Sequence, residues 1–323
     1  MNIHRQRLEA ALRGEIADRP PVALWRHFPV DDQDPERLAA ATLHWQSIYQ
    51  WDLVKVTPAS SFCLKDWGAE DVWEGLAEGN RRYTKRVVAA PEDWLKLKVL
   101  DADAPQLAAQ LKCLRLLRER LPASEPIIQT IFSPMSQAKN LAGGERLILH
   151  LRQHPELLQR GLEVIAETTR RFIKTAIETG IDGVFYAVQH AQAGLLTKDE
   201  FLRFGWGYDQ TVLDSARSLW FNMAHLHGEN VYFDAVADYP VQVLNWHDRD
   251  TAPNLIEGQK RFPGIVCGGL RRETLALGTP EEIRAEIKDA LAQTGGKRFL
   301  LGTGCVTEII APHGNLIEVT KTR

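Results

Sequence analysis

The chain has 323 residues, 44% hydrophobic and 25% charged, with a formal net charge of −3. That apolar share supplies a large core, the balanced charge and the lack of a basic segment argue against nucleic acid as a partner, and there is no run of about 18 apolar residues to cross a membrane. The four cysteines, Cys63, Cys113, Cys267 and Cys305, form no close pair, and the N-terminus is polar with no apolar leader core. A cytoplasmic protein with reduced thiols is expected.

Residues 4–14 predict a short amphipathic helix that stops at Gly14. Arg19-Pro-Pro-Val-Ala-Leu-Trp25 is an apolar run introduced by prolines, read as a first strand ending in Arg26-His27. Leu38, Ala41, Trp45 and Ile48 have helical spacing within 35–51. Residues 53–57 form a second strand stopped by Pro58, and Lys55 on it points either inward or outward. Residues 59–100 contain Trp67, Trp73 and an expected hairpin around Gly79-Asn80, between 74–76 and 82–84. They read as an insertion after the second strand that would sit over one mouth of a barrel. A helix follows at 104–121, closed by Pro122.

The third strand is expected at 127–132, with helices at 134–142, 144–152 and 155–179. The fourth, 183–188, ends in Gln189-His190 and leads to a helix at 197–217 capped by Thr197. The fifth, 220–224, runs out into His225-Leu-His227-Gly228, before a short helix at 232–237. The sixth, 241–246, ends in His247-Asp248 and precedes a helix at 253–261. The seventh is 264–268. A helix at 280–294 starts with Thr279 as N-cap, Pro280 in first position and Glu282 three residues after the cap. The eighth strand, 298–302, leads to Gly304-Cys305, and a last helix begins near Asn315.

Eight near-continuous apolar strands separated by helices suit a parallel sheet covered on both faces. The expectation is an α/β protein, a single-domain (β/α)₈ TIM barrel over residues 1–323 with an insertion after the second strand. An open doubly wound sheet is the alternative, weakened because no G-x-G-x-x-G follows a strand. In a barrel the site lies at the C-terminal strand ends. Those ends offer Arg26-His27, Thr57, Ser133, Gln189-His190, His225 and His227, His247-Asp248, Arg271 and Cys305. Five of the ten histidines fall there, where about one would fall by chance, so the mouth is where chemistry is sought.

His-x-His at a strand end places two imidazoles close together, and a thiolate from a distant strand adds a soft third ligand. His225, His227 and Cys305 with an open fourth position suit a catalytic Zn²⁺. The plainer reading is a pair of hydrogen-bonded pocket histidines and a small buried cysteine.

Several segments in order resemble the uroporphyrinogen decarboxylase superfamily. They are Arg19-Pro-Pro-Val, Phe132-Ser-Pro-Met, Ala193-Gly194, Leu277-Gly-Thr-Pro-Glu-Glu-Ile, and Gly304-Cys305 followed by Asn315-Leu. The resemblance covers nearly the whole chain and implies a (β/α)₈ barrel. True decarboxylases carry R-P-P-V-W-x-M-R-Q-A-G-R, whose arginines bind substrate carboxylates. Here Arg26 keeps the first later arginine, Val30 stands at the second, and Cys305 takes the place of the histidine in G-H-G. The decarboxylase aspartate after the second strand has no clear match around Thr57-Pro58. The cobalamin-linked methyltransferases, with H-x-C-G and a later G-C, are more similar. This chain has His225-Leu-His227-Gly228 and Gly304-Cys305, with His227 in place of the middle cysteine.

That branch implies zinc on His225, His227 and Cys305, a corrinoid or corrinoid protein as methyl donor, and a small thiol acceptor. On this reading His190 and His247 are candidate proton carriers, with Asp248 orienting one of them, and Arg26, His27 and Gln189 bind substrate. A homodimer is expected by analogy. The competing readings are a decarboxylase acting on a carboxylated tetrapyrrole or smaller acid, and a non-catalytic tetrapyrrole-binding barrel.

Overall fold

A computed structural model describes residues 3–321. Its main sheet has seven strands, all paired in parallel: β1 (Val54–Val56), β4 (Ile127–Phe132), β5 (Gly183–Val188), β6 (Met223–Leu226), β7 (Val243–Trp246), β8 (Ile265–Leu270) and β9 (Phe299–Thr303). They lie side by side in chain order. A separate antiparallel hairpin, β2 (Glu70–Val72) with β3 (Arg82–Lys85), falls between β1 and β4 in sequence. The main strands are buried throughout, as their continuous apolar runs require when helices cover the outer face. Ala187, His225, Asn245, Cys267 and Leu300 stand level across five strands, which sets the height of the functional side chains.

The sheet curls so that one segment touches both of its edges. Val22 makes a parallel bridge to Leu301 on β9, with Ala23 N donating to Leu301 O and Leu301 N to Pro21 O. On the other side Asp52 N donates to Val22 O just before β1. The expected first strand is therefore present only as an isolated bridge. Pro20 and Pro21 have no amide hydrogen and cannot extend a ladder.

Side-chain chemistry holds this seam. The Asp52 carboxylate is wholly buried and accepts hydrogen bonds from Val22 N at 2.8 Å, Arg19 Nη1 at 2.6 Å and Arg7 Nη1 at 2.9 Å, with His4 Nδ1 at 2.7 Å. Burial pushes its carboxyl up, but His4, Arg19 and Arg7 together outweigh that and hold it below the ordinary range.

Other boundaries moved for local reasons. The fifth strand begins at Met223 rather than 220, because Asn222 spends its side chain on Val184 N and Ala216 O and its own amide on Gln242 Oε1. His225 thus lies within the ladder instead of beyond it. The expected hairpin pairs Val72 with Arg82, leaving residues 73–81 as a long loop around Gly79. The helix at 197–217 is interrupted by a π turn at Leu202–Trp206 and a 3₁₀ turn at Asp214–Ala216. A helix at Arg272–Leu277 was not expected from the sequence. Among the described residues no helix is long and apolar enough to cross a membrane.

Asp52→Asn removes the charge that compensates Arg19 and Arg7, and is expected to cost about 3–5 kcal/mol in urea unfolding. The depressed carboxyl sets the sign of the pH dependence. Its contribution is complete above the unfolded carboxylate value near 3.8 and is lost as pH falls through the lower folded value. The acid limb of the wild-type stability curve should flatten in the variant.

Candidate metal centre

Alternation along β6 and β7 sorts their side chains onto two faces. Leu226 and Trp246 go outward under the helices, where Trp246 packs edge-on against Phe233 at 4.9 Å and donates to Pro253 O. His225 and Asn245 go inward. Two residues further along each chain, His227 and His247 continue that face into the mouth. The end of β9 is brought to them by Gly304, where a Cβ would lie 2.7 Å from His247 Cα and 2.9 Å from Trp246 O. Only glycine permits that approach, and the next residue is Cys305.

The result is a cluster of His225, His227, His247 and Cys305 whose ligand atoms all lie within 4.8 Å of one another. Cys305 Sγ is 3.8 Å from His227 Nδ1, and the three imidazole centroids are 5.2–5.9 Å apart. Strands β6 and β9 are not neighbours, so this meeting is a product of the curl.

Asn245 decides the protonation of the first histidine. Its Nδ2 donates to Cys267 O at 3.0 Å and Thr303 O at 2.9 Å, which leaves Oδ1 facing His225 Nδ1 at 2.7 Å. An amide oxygen only accepts, so Nδ1 carries the proton and Nε2 presents a lone pair to the cluster. Burial lowers the His225 value, and the facing Cys305 opposes that shift. His247 Nε2 is buried with no hydrogen-bond partner among the described residues. Burial alone would raise the Cys305 thiol, but the facing His225, His227 and His247 outweigh it and hold the thiol well below its ordinary value. A thiolate among lone-pair nitrogens is a soft donor set of the kind zinc prefers.

The cluster opens into a cavity of about 360 Å³. Its lining includes His27 and Gln189, two of the residues expected to bind substrate. Arg26 is not among the lining residues. Its guanidinium lies 4.7 Å from the Trp45 ring centre and 5.2 Å from that of Phe28, turned away from the mouth into an aromatic nest. Asp248 does not orient a histidine either. Both of its oxygens accept from Gly269 N at 3.1 Å, so it caps β8, and burial raises its carboxyl to about 7. His190 is buried, its Nδ1 has no hydrogen-bond partner among the described residues, and burial, Lys139 and His227 pull it down to about 3. His247, expected as a proton carrier, stands instead among the ligand atoms.

Sequence reasoning missed Asn245, although its place two residues before His247 puts it on the same inward face. It left Lys55 undecided, and the structure turns that side chain into the cavity. Arg81, Arg86 and Lys139, all on the cavity wall, had no strand-end signal.

Residues 4–323 match the family model described as uroporphyrinogen decarboxylase (URO-D). The methylcobamide:CoM methyltransferase MtbA of Methanosarcina mazei is 22% identical over 336 residues, covering 98% of this chain and 96% of its own. MtaA of Methanosarcina barkeri, also a methylcobamide:CoM methyltransferase, is 23% identical over 341 residues, covering 99% and 97%. A uroporphyrinogen decarboxylase of Prochlorococcus marinus is 26% identical over only 156 residues, 47% of this chain and 43% of its own. The solved structure of a methyltransferase from Methanosarcina mazei shares the fold, with a TM-score of 0.87 at 20% identity over 99% of this chain and 97% of that one.

The four cysteines should separate by reactivity in metal-free protein. Burial raises the Cys63 and Cys267 thiols strongly and pushes Cys113 up to about 12, so these stay protonated. Cys305, held low, should be alkylated by iodoacetamide well below pH 9, with peptide mapping locating the adduct. His225→Ala should move that alkylation profile to higher pH.

Proposed function

Because the chain belongs to the uroporphyrinogen decarboxylase family, we propose that it works as that family's methyltransferases do, moving a methyl group from a corrinoid carrier to a thiol with a zinc ion held by His225, His227 and Cys305. The observation that carries this reading is the convergence of one depressed thiol and three imidazoles, one with its tautomer preset by Asn245. Full-length similarity to two methylcobamide:CoM methyltransferases supports it, whereas the decarboxylase match covers less than half the chain. In this reading residues 19–25 serve as the first strand of a single-domain (β/α)₈ barrel, and the β2–β3 hairpin is an insertion near its mouth.

Each side chain then has a task. Cys305, just beyond the edge strand β9, and His225 Nε2, on the central strand β6, would hold the metal, and His227 would join them from beyond the end of β6. His247 stands beside these three with no hydrogen-bond partner for its Nε2 among the described residues, and the fourth position is left open for the acceptor thiol. Zinc, when bound, lowers the pKa of a coordinated thiol so that the thiolate is available at neutral pH. The corrinoid, when bound at the mouth, supplies the methyl group. His27 and Gln189 line the path between mouth and cluster, where they orient the acceptor. His190, neutral at physiological pH, adds no competing charge behind the histidines.

Purified protein should contain about one equivalent of zinc, and Cys305→Ala should lose most of it. Asn245→Leu frees the His225 ring and should weaken zinc binding about 10–100-fold, measured against a chromogenic chelator. Methylcobalamin with a thiol should be demethylated by the wild type and not by Cys305→Ala, followed by the visible spectrum of the corrinoid. Zinc well below one equivalent, together with an unchanged Cys305→Ala protein, would sink the proposal. Turnover of uroporphyrinogen would establish the decarboxylase in its place.

A further inference from the structure

The cavity above the cluster is lined by five cationic side chains, Lys55, Arg81, Arg82, Arg86 and Lys139, against one carboxylate, Glu78. Several of these charges are already compensated. Arg81 reaches Asp32 at 3.1 Å and Asp71 at 3.3 Å, Arg82 binds Glu74, and Glu78 is held by Arg272 at 2.6 Å. Among the described residues, no carboxylate lies within ion-pair distance of Lys55, Arg86 or Lys139.

These three form two separate stations. Lys55 is on the floor, 8% exposed, and projects from β1. Its Nζ touches Thr57 Oγ1 at 3.3 Å and lies 4.3 Å from the Phe185 ring centre, and Phe185 in turn stacks on His225 at 5.3 Å. The ammonium is thus one ring away from the donor cluster. Burial drives it down to about 7, opposed by the Cys305 charge. The second station is on the wall. Lys139 Nζ donates to Gln189 Oε1 at 2.8 Å, and Arg86 Nη1 is tied to the carbonyls of Lys139 and Asn140 at 3.2 and 2.7 Å. Burial lowers both, and Arg86 lowers Lys139 further.

The unpaired buried cation Lys55 is costly and would be stabilised by an anion brought in from outside, and the half-buried Lys139 and exposed Arg86 face the same cavity without a carboxylate partner among the described residues. We propose that the cavity takes a dianionic substrate, with one anionic group on Lys55 beside the cluster and the other on Lys139 and Arg86 at the wall. That the occupant is also the acceptor thiol rests on the methyl-transfer reading. The two cation stations themselves do not. The substrate class is then a short thiol bearing two carboxylate-type groups. Neutral thiols, and thiols with one charge, leave a station empty.

Calorimetric titration of the full chain tests this with three thiols: mercaptosuccinate, 3-mercaptopropionate and 2-mercaptoethanol. Mercaptosuccinate should bind about tenfold tighter than 3-mercaptopropionate, which should bind tighter than 2-mercaptoethanol, because each charge-assisted contact adds affinity. Lys55→Met and Lys139→Met should each cost mercaptosuccinate about tenfold and leave 2-mercaptoethanol unchanged. Lys55→Met removes an unpaired buried charge and Lys139→Met a half-buried one, so neither thermal midpoint should fall appreciably below that of the wild type, which separates lost binding from lost folding. Succinate, which carries the two carboxylates without sulfur, should bind zinc-free protein and weaken in the same variants. If mercaptosuccinate binds no tighter than 3-mercaptopropionate, or Lys139→Met leaves it unaffected, the dianion proposal is overturned. Should protein grown with ample zinc hold none and still bind succinate, the metal reading fails and the cation stations stand.

Discussion

One carboxamide ties the interior of this sheet together. From β7, Asn245 donates to carbonyls of β8 and β9 and accepts from His225 on β6. Four strands are thereby linked inside the curl by a side chain wholly removed from water. Breaking any of these bonds would leave a buried donor or acceptor unsatisfied. The same arrangement that holds the strands decides which nitrogen of His225 faces Cys305. Fold stability and site chemistry therefore depend on one residue.

The site concentrates groups that burial alone would disfavour. A thiol held low, the imidazoles beside it and three cations without carboxylate partners among the described residues meet at one small cavity. Burial works against every charged form there, and the opposing terms are local: imidazoles around the sulfur, a ring face under Lys55, backbone carbonyls around Arg86. Such a pocket has its charges prearranged and awaits ligands of complementary chemistry. At the opposite extreme Asp52 has a full complement of donors, as suits a group whose work is to hold the seam between Val22 and β1.

Much of this was readable along the chain. The parallel strands announced themselves because strands buried on both faces are mostly apolar, and seven of the eight expected runs overlap a ladder strand. The exception at Val22 has a plain cause in the two prolines before it, which leave hydrogen bonds on either side of a segment too broken to count as a ladder. His225, His227 and Cys305 were singled out by their positions at strand ends. Arg26 and Asp248 were misread there, because a place at a strand end does not determine where a long or branched side chain turns. Arg26 found two aromatic rings and Asp248 found the amide of Gly269.

By itself, the sequence determined the order of strands and helices and the residue types at the mouth. These depend on local hydrophobic pattern and on which groups carry amide hydrogens. Only the tertiary structure decided that β6 and β9 meet across two intervening strands, that His247 joins the donors, that Asn245 sets the tautomer, and that Lys55 turns inward beside Phe185. Those outcomes follow from curvature and from contacts between residues 20 to 130 positions apart in the chain, as between His225 and Asn245 or Lys55 and Phe185. No local pattern carries that information, because the distance between two side chains across a curled sheet is set by every ladder between them.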